Sequence, residues 1–97
     1  LNEQRFTENF IRTRIEKGQG PLKIRHELRM RGIANDLIDE HLDESFQFWQ
    51  AHIERTRFKR FGRIKPVDYQ EQGRQSRFLY QRGYNAEQIR RCLSLTD

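Results

Sequence analysis

Cysteine is almost missing from this chain. Cys92 is the only one among 97 residues. No internal disulfide can form, so the stabilising cross-links of small secreted domains are excluded and a reducing compartment is expected. Long apolar runs are missing too. None approaches the roughly 20 residues that a bilayer-spanning helix needs. The opening Leu1-Asn2-Glu3-Gln4-Arg5 has no apolar stretch of the signal-peptide kind. These absences lead to the expectation of a soluble, cytoplasmic protein. Apolar residues are scarce overall, 34% of the chain, matched by 34% charged residues. That is too little to fill one spherical core. It suits an elongated stack of helices, each sharing a narrow apolar face with its neighbours.

Proline and glycine are sparse, and their positions divide the chain. They stand at Gly18, Gly20-Pro21, Gly32, Gly62, Pro66, Gly73 and Gly83. Between them lie helix-length segments, predicted at 3–17, 21–31, 35–43, 44–60, 67–81 and 86–94. Aromatics reach 11% and the apolar residues fall at helical spacing, which argues against disorder despite a mean hydropathy of -1.06. Phe6, Phe10, Ile11 and Ile15 spread over two adjacent stripes of the first helix. Pro21 suits a first helical position, where its missing N–H is no loss. Gly32 after Arg31 has the form of a helix C-terminus. Asn85 with Glu87 and Gln88 has the form of an N-cap with a capping-box partner.

An internal repeat follows. Leu28-Arg29-Met30-Arg31-Gly32-Ile33 aligns with Leu79-Tyr80-Gln81-Arg82-Gly83-Tyr84, and Ile38 and Leu42 then align with Ile89 and Leu93. Upstream, Arg12-Thr13-Arg14 aligns with Arg55-Thr56-Arg57, Phe6 with Trp49, and Phe10 with Ile53. The two registers differ by 51 − 43 = 8 residues, an insertion in the second copy between Gly62 and Leu79. The expected architecture is all-α: tandem three-helix repeats at 1–43 and 44–97, stacked into a curved, right-handed or solenoid-like array. Stacked repeats ordinarily need three or more copies, so a further repeat is expected before Leu1.

Phe6, Gly18-Gln19-Gly20-Pro21-Leu22-Lys23-Ile24, Glu27-Leu28 and Arg31-Gly32-Ile33 resemble the second repeat of the RecX family. Arg60-Phe61-Gly62 and Arg77-Phe78-Leu79-Tyr80-Gln81-Arg82-Gly83-Tyr84 resemble its third. The resemblance covers nearly the whole chain, and its specificity comes from the order and spacing of these motifs. It implies a curved stack of three-helix repeats that lies in the groove of the RecA–DNA filament, restrains RecA and binds DNA weakly. It implies no catalytic residues and no cofactor. The family's first repeat has no counterpart here.

A net charge of +5 and a pI near 9.9 indicate an anionic partner without naming it. The densest cationic stretch runs from Arg55 to Lys65. Arg55, Arg57, Lys59, Arg60, Arg63 and Lys65 interleave there with Phe58, Phe61 and Ile64, and no acid interrupts them. Cations so spaced can neutralise phosphates or meet carboxylates on a protein filament. The plainer alternative is a solvated helix end, with Phe58 and Phe61 in the core. Arg14, Lys17, Lys23 and Arg25 flank the first turn as a second basic set. Arg12 suits local pairing with Glu8 or Glu16, and Arg31 and Arg82 suit helix capping. Asp36, Asp39, Glu40, Asp43 and Glu44 form an acidic segment, read as a solvated face, a partner for a basic helix, or a contact for a basic protein surface.

Phe46, Phe48, Trp49, Tyr69, Tyr80 and Tyr84 could stack on bases. The helical spacing of Phe46, Trp49 and Ile53 favours the core. His26, His41 and His52 lack the close Cys or carboxylate company of a zinc site, so no metal is expected. Nothing pairs a nucleophile with a base, so no catalytic site is expected. The leading expectation is a monomeric, non-enzymatic regulator of the RecA filament, with weak contact to single- or double-stranded DNA. The alternative is a nucleic-acid-binding helical module that acts without RecA.

Overall fold

The computed structural model describes residues 2–42 and 45–93. Six α-helices and no strand occur among them: α1 (Glu3–Glu16), α2 (Pro21–Met30), α3 (Asn35–His41), α4 (Phe46–Phe61), α5 (Tyr69–Gln81) and α6 (Ala86–Leu93). Local chemistry sets most of the ends. Asn2 Oδ1 accepts from the amides of Gln4 and Arg5 and starts α1. Pro21 opens α2. Ser45 caps α4 through the Phe48 amide, and Asp68 caps α5 through the Glu71 amide. Because Asp68 is the cap, α5 begins two residues later than the expected 67. Asn85 and Gln88 form a reciprocal capping box, at 2.8 and 2.9 Å. The predicted ends at Asp43, Glu44 and Ser94 lie outside the described residues.

Packing divides the helices into two triads, α1–α2–α3 and α4–α5–α6. The residues that lengthen the second copy are spread over a longer α4, 16 residues against 14 in α1, the turn at 62–68, and a longer α5, 13 residues against 10 in α2. The molecule measures 49 × 22 × 22 Å. Its radius of gyration, 14.4 Å, exceeds the about 12.5 Å of a compact chain this long. Elongation follows from the thin apolar supply, since each helix buries only a stripe. Those stripes nevertheless join into one core. Ile24, Leu28 and Ile38 fill one triad, and Trp49, Ile53, Leu79, Ile89 and Cys92 the other. Tyr84 is fully buried, with its ring edge-on to Trp49.

The triads meet through two glycine turns. The Gly20 amide donates to the Arg82 carbonyl at 2.7 Å, and the Leu22 amide to the Gly83 carbonyl at 2.9 Å. The Tyr84 hydroxyl lies 3.0 Å from Thr56 Oγ1 and donates to the Gly18 carbonyl at 3.3 Å. A methyl group on Gly20 would sit 2.5 Å from the Gly83 carbonyl. The Gly18-Gln19-Gly20-Pro21 motif is therefore a joint: it lets two backbones approach to hydrogen-bonding distance.

Periodicity misplaced two rings. Phe46 is 49% exposed, in the first turn of α4 with the Arg91 guanidinium over it, so it does not join Trp49 and Ile53 in the core. Phe58 is 56% exposed and does not join the core either. Phe61 is half-buried, edge-on to Phe78.

Cys92 is buried within the second triad. Burial, reinforced by the Glu54 carboxylate, pushes its thiol up to about 12. Since only the thiolate reacts, the native thiol should label at pH 8 at least about a thousandfold more slowly than in urea. A thiol–disulfide exchange reagent, followed spectroscopically with and without denaturant, checks this.

Candidate functional site

Between the triads lies a cleft of about 450 Å³. The end of α1 supplies Lys17, α4 supplies Arg55, Lys59 and Arg60, and Arg82 closes the far side at the end of α5. Arg55 and Lys59 are four residues apart on one helix, hence on one face. Among the described residues, Glu16 is the only carboxylate lining the cleft. Five cations to one acid make a field that draws anions.

Aromatic rings hold the guanidinium groups in place. The Arg60 guanidinium carbon lies 5.3 Å from the Phe61 ring centroid and 5.4 Å from that of Phe78. The Arg82 guanidinium carbon lies 5.2 Å from the centroid of the same Phe78 ring, and Arg82 donates to the Lys17 carbonyl at 3.4 Å. Such cation–π contacts leave the edges of the guanidinium fork for an anion. Toward the middle, His52 sits 4.6 Å from the Phe48 ring and 3.1 Å from Arg55 Nη1. Burial first, and then the Arg55 charge, lower the His52 pKa and favour its neutral form. Lys59 and Arg63 form no ion pair with any described residue.

The expected site residues scatter over several settings. Lys17, Arg55, Lys59 and Arg60 converge on the cleft. Arg14 instead pairs with Glu27 at 2.5 Å and lies over the Phe10 ring. Arg25 pairs with Asp39 at 2.8 Å, which ties part of the acidic segment to its basic neighbour. Asp43 and Glu44 of that segment lie outside the described residues. Lys23 abuts the Gly83 turn at the joint. Arg63 is exposed in the turn after α4. Lys65 donates to the Cys92 carbonyl and sits 3.4 Å from Glu54, which ties the turn to the second triad.

Arg57 requires a correction. It is only 2% exposed and does not present its charge to a partner. Its guanidinium donates to the carbonyls of Gly62, Arg63 and Ile64 and to Gln75 Oε1. The turn after α4 folds back over the helix end, and the guanidinium satisfies the carbonyls so enclosed. Arg82, expected only as a capping cation, is the cleft residue the sequence concealed. Its contact to Lys17 spans 65 residues.

Among the described residues no three His, Cys, Asp or Glu side chains stand together as metal ligands. No helix there is long and apolar enough to cross a membrane. The cleft's hydroxyl, Thr56 Oγ1, donates to the His52 carbonyl and lies 3.0 Å from the Tyr84 hydroxyl. The cations that line the cleft suit it to an anion.

Comparison with known proteins agrees with this architecture. The model of the second three-helix domain of RecX matches residues 2–42, and that of the third matches residues 50–93. A relative from Halorhodospira halophila (strain DSM 244 / SL1), named regulatory protein RecX, is 44% identical over 97 residues, covering 100% of this chain and 60% of its own. One of the same name from Pseudomonas fluorescens (strain SBW25) is 41% identical over the same length, covering 63% of its own chain. The chain thus spans about three fifths of the length of these curated relatives. With both consecutive domain models matched, in order and over most of its length, the chain belongs to the RecX family.

Proposed function

We propose that this chain is a regulatory, non-enzymatic binding module that engages the RecA–DNA filament through the cleft between its triads. The observation that carries the reading is the convergence of Lys17, Arg55, Lys59, Arg60 and Arg82 on one cleft with a single acid. The relatives' name, regulatory protein RecX, supports a role exerted on a partner. The mechanism is steric and electrostatic. A rod 49 Å long and 22 Å across occupies the filament groove, obstructs the incoming duplex and restrains the changes linked to ATP hydrolysis. The module acts as a monomer in the cytoplasm, with weak contact to DNA.

RecA-catalysed strand exchange and single-strand-dependent ATP hydrolysis, titrated with the chain at near-physiological salt, test this. Inhibition well below one chain per RecA subunit is the expected result. The Lys59→Glu, Arg60→Glu double variant should raise the half-inhibiting concentration at least about tenfold, since each reversal turns attraction into repulsion across the contact. Absence of inhibition, both by this chain and by a relative carrying all its repeats, would remove the reading.

The basic run also favours a second reading, a helical module that binds nucleic acid without RecA. It requires tight binding to bare DNA that collapses with salt and needs no protein.

A further inference from the structure

The basic cleft is one half of a longer groove between α1 and α4. Past His52 the groove opens into a second cavity of about 520 Å³. Ile15, Glu16 and His52 line both halves, so the two are continuous. The walls of the second half are apolar: Ile11, Ile15 and Phe48. Its formal charges lean acidic, with Glu8 and Glu16 against Arg12. From Phe48 to Arg60 the groove follows α4 for ~18 Å, at about 1.5 Å per residue.

A polynucleotide fits only the basic half. Its phosphates recur along the whole strand, so the rest of the strand would lie on isoleucine and phenylalanine, beside Glu8 and Glu16. A polypeptide helix can change character along its length. A helix of about three turns would span the groove, with apolar anchors at one end and carboxylates at the other. His41 lines the same half between two carboxylates, with Nδ1 3.6 Å from Glu8 and Nε2 3.9 Å from Glu40.

We propose that the α1–α4 groove seats an amphipathic protein helix, apolar where it meets Phe48 and acidic where it meets Arg60, and that DNA is excluded from the Phe48 half. The proposal rests on the filament reading and specifies it: the groove takes up protein, and contact with DNA lies elsewhere or only at the basic end.

The test places a photoreactive p-benzoylphenylalanine at Phe48 and, separately, at the exposed Phe58. Each chain is irradiated with RecA filaments on single-stranded DNA and with bare single-stranded DNA. Binding of Phe48→Ser to both is measured alongside, with a helicity check by circular dichroism. The expected result is cross-linking from position 48 to RecA polypeptide and none to DNA. Phe48→Ser should bind the filament at least about tenfold more weakly and bare DNA unchanged. A cross-link from position 48 to DNA would overturn the proposal. So would filament binding that survives Phe48→Ser, or filament binding with cross-links from position 58 alone. Failure of the unsubstituted chain to bind the filament at all is a different result, and it removes the filament reading together with the proposal.

Discussion

Gly83→Ala should lower stability by about 3 kcal/mol and loosen the two triads from each other. Two costs combine at this position. Gly83 has φ +104, where an L side chain is strained, at about 1–2 kcal/mol. Its new methyl would also sit 2.4 Å from Lys23 Cβ and 2.8 Å from the Lys23 backbone nitrogen. Backbone cannot turn aside as a side-chain tip can, so the joint must open, at about 1–3 kcal/mol. Opening it lengthens the bonds from Gly20 and Leu22 and draws the Tyr84 hydroxyl away from Gly18. Two other glycines separate the contributions. At Gly32, φ is +85 and nothing lies within 4 Å of an added methyl, so Gly32→Ala carries strain alone. Gly20 has an ordinary φ of -94, and its methyl would meet Gly83 at 2.5 Å, so Gly20→Ala carries the clash alone. Urea unfolding of all three should rank Gly83→Ala as the most damaging. The joint variants should also broaden the transition, as uncoupled repeats do. A Gly32→Ala loss equal to that of Gly83→Ala would mean that strain, not the joint, sets the cost.

The joint explains why some of this fold is legible in the sequence and some is not. The Asn85–Gln88 box, Pro21 at the start of α2 and Gly32 after Arg31 were readable because each is settled within a few residues of chain. The contact between Gly20 and Gly83 joins turns 63 residues apart, and no local pattern announces which glycine another backbone will touch. The exposure of Phe46 and Phe58 was hidden by a related limit. Periodicity identifies a stripe on a helix, and the neighbouring helices decide how much of that stripe is covered.

The candidate site divides along the same line. Lys59 and Arg60 were recognisable because an acid-free run on one helix must put several cations on a shared face. Lys17 and Arg82 join them only through the docking of the triads. Arg14 and Arg25 look like Lys17 in the sequence, yet Glu27 and Asp39 claim them across helix–helix contacts. Which cation remains for a partner is a property of the packing, and composition carries only their sum. Arg57 and Lys65 are drawn into the fold, so the acid-free run presents fewer cations at the surface than its six suggest.

Arg57→Met should cost about 3 kcal/mol, a fall in melting temperature of about 15 °C for a domain of this size. Within the sequence Arg57 is one cation among six, whereas in the fold it is the plug of a turn. Its Nη2 donates to the Gly62 carbonyl at 2.6 Å, and its Nη1 reaches Gln75 Oε1 at 3.2 Å. Charged donors make these bonds worth more than neutral ones, at about 1.5–3 kcal/mol each. Methionine fills the space and supplies no donor, so the carbonyls of the turn lose their partner. Arg57→Lys keeps the charge but offers a single ammonium where a planar fork served several oxygens, and should recover less than half of the loss. Arg14→Met, at the equivalent repeat position, is the reference. Arg14 is 23% exposed and paired to Glu27, a setting where water can replace the partner, and about 1 kcal/mol is expected there. The readout that distinguishes a turn plug from a partner contact is binding at a temperature where the variant stays folded. If Arg57 acts on the fold alone, filament affinity of folded Arg57→Met should match that of the unsubstituted chain, while Lys59→Glu, Arg60→Glu loses affinity with its melting temperature nearly unchanged. The opposite pattern, a stable Arg57→Met that no longer binds, would mean that its guanidinium leaves the turn to meet the partner.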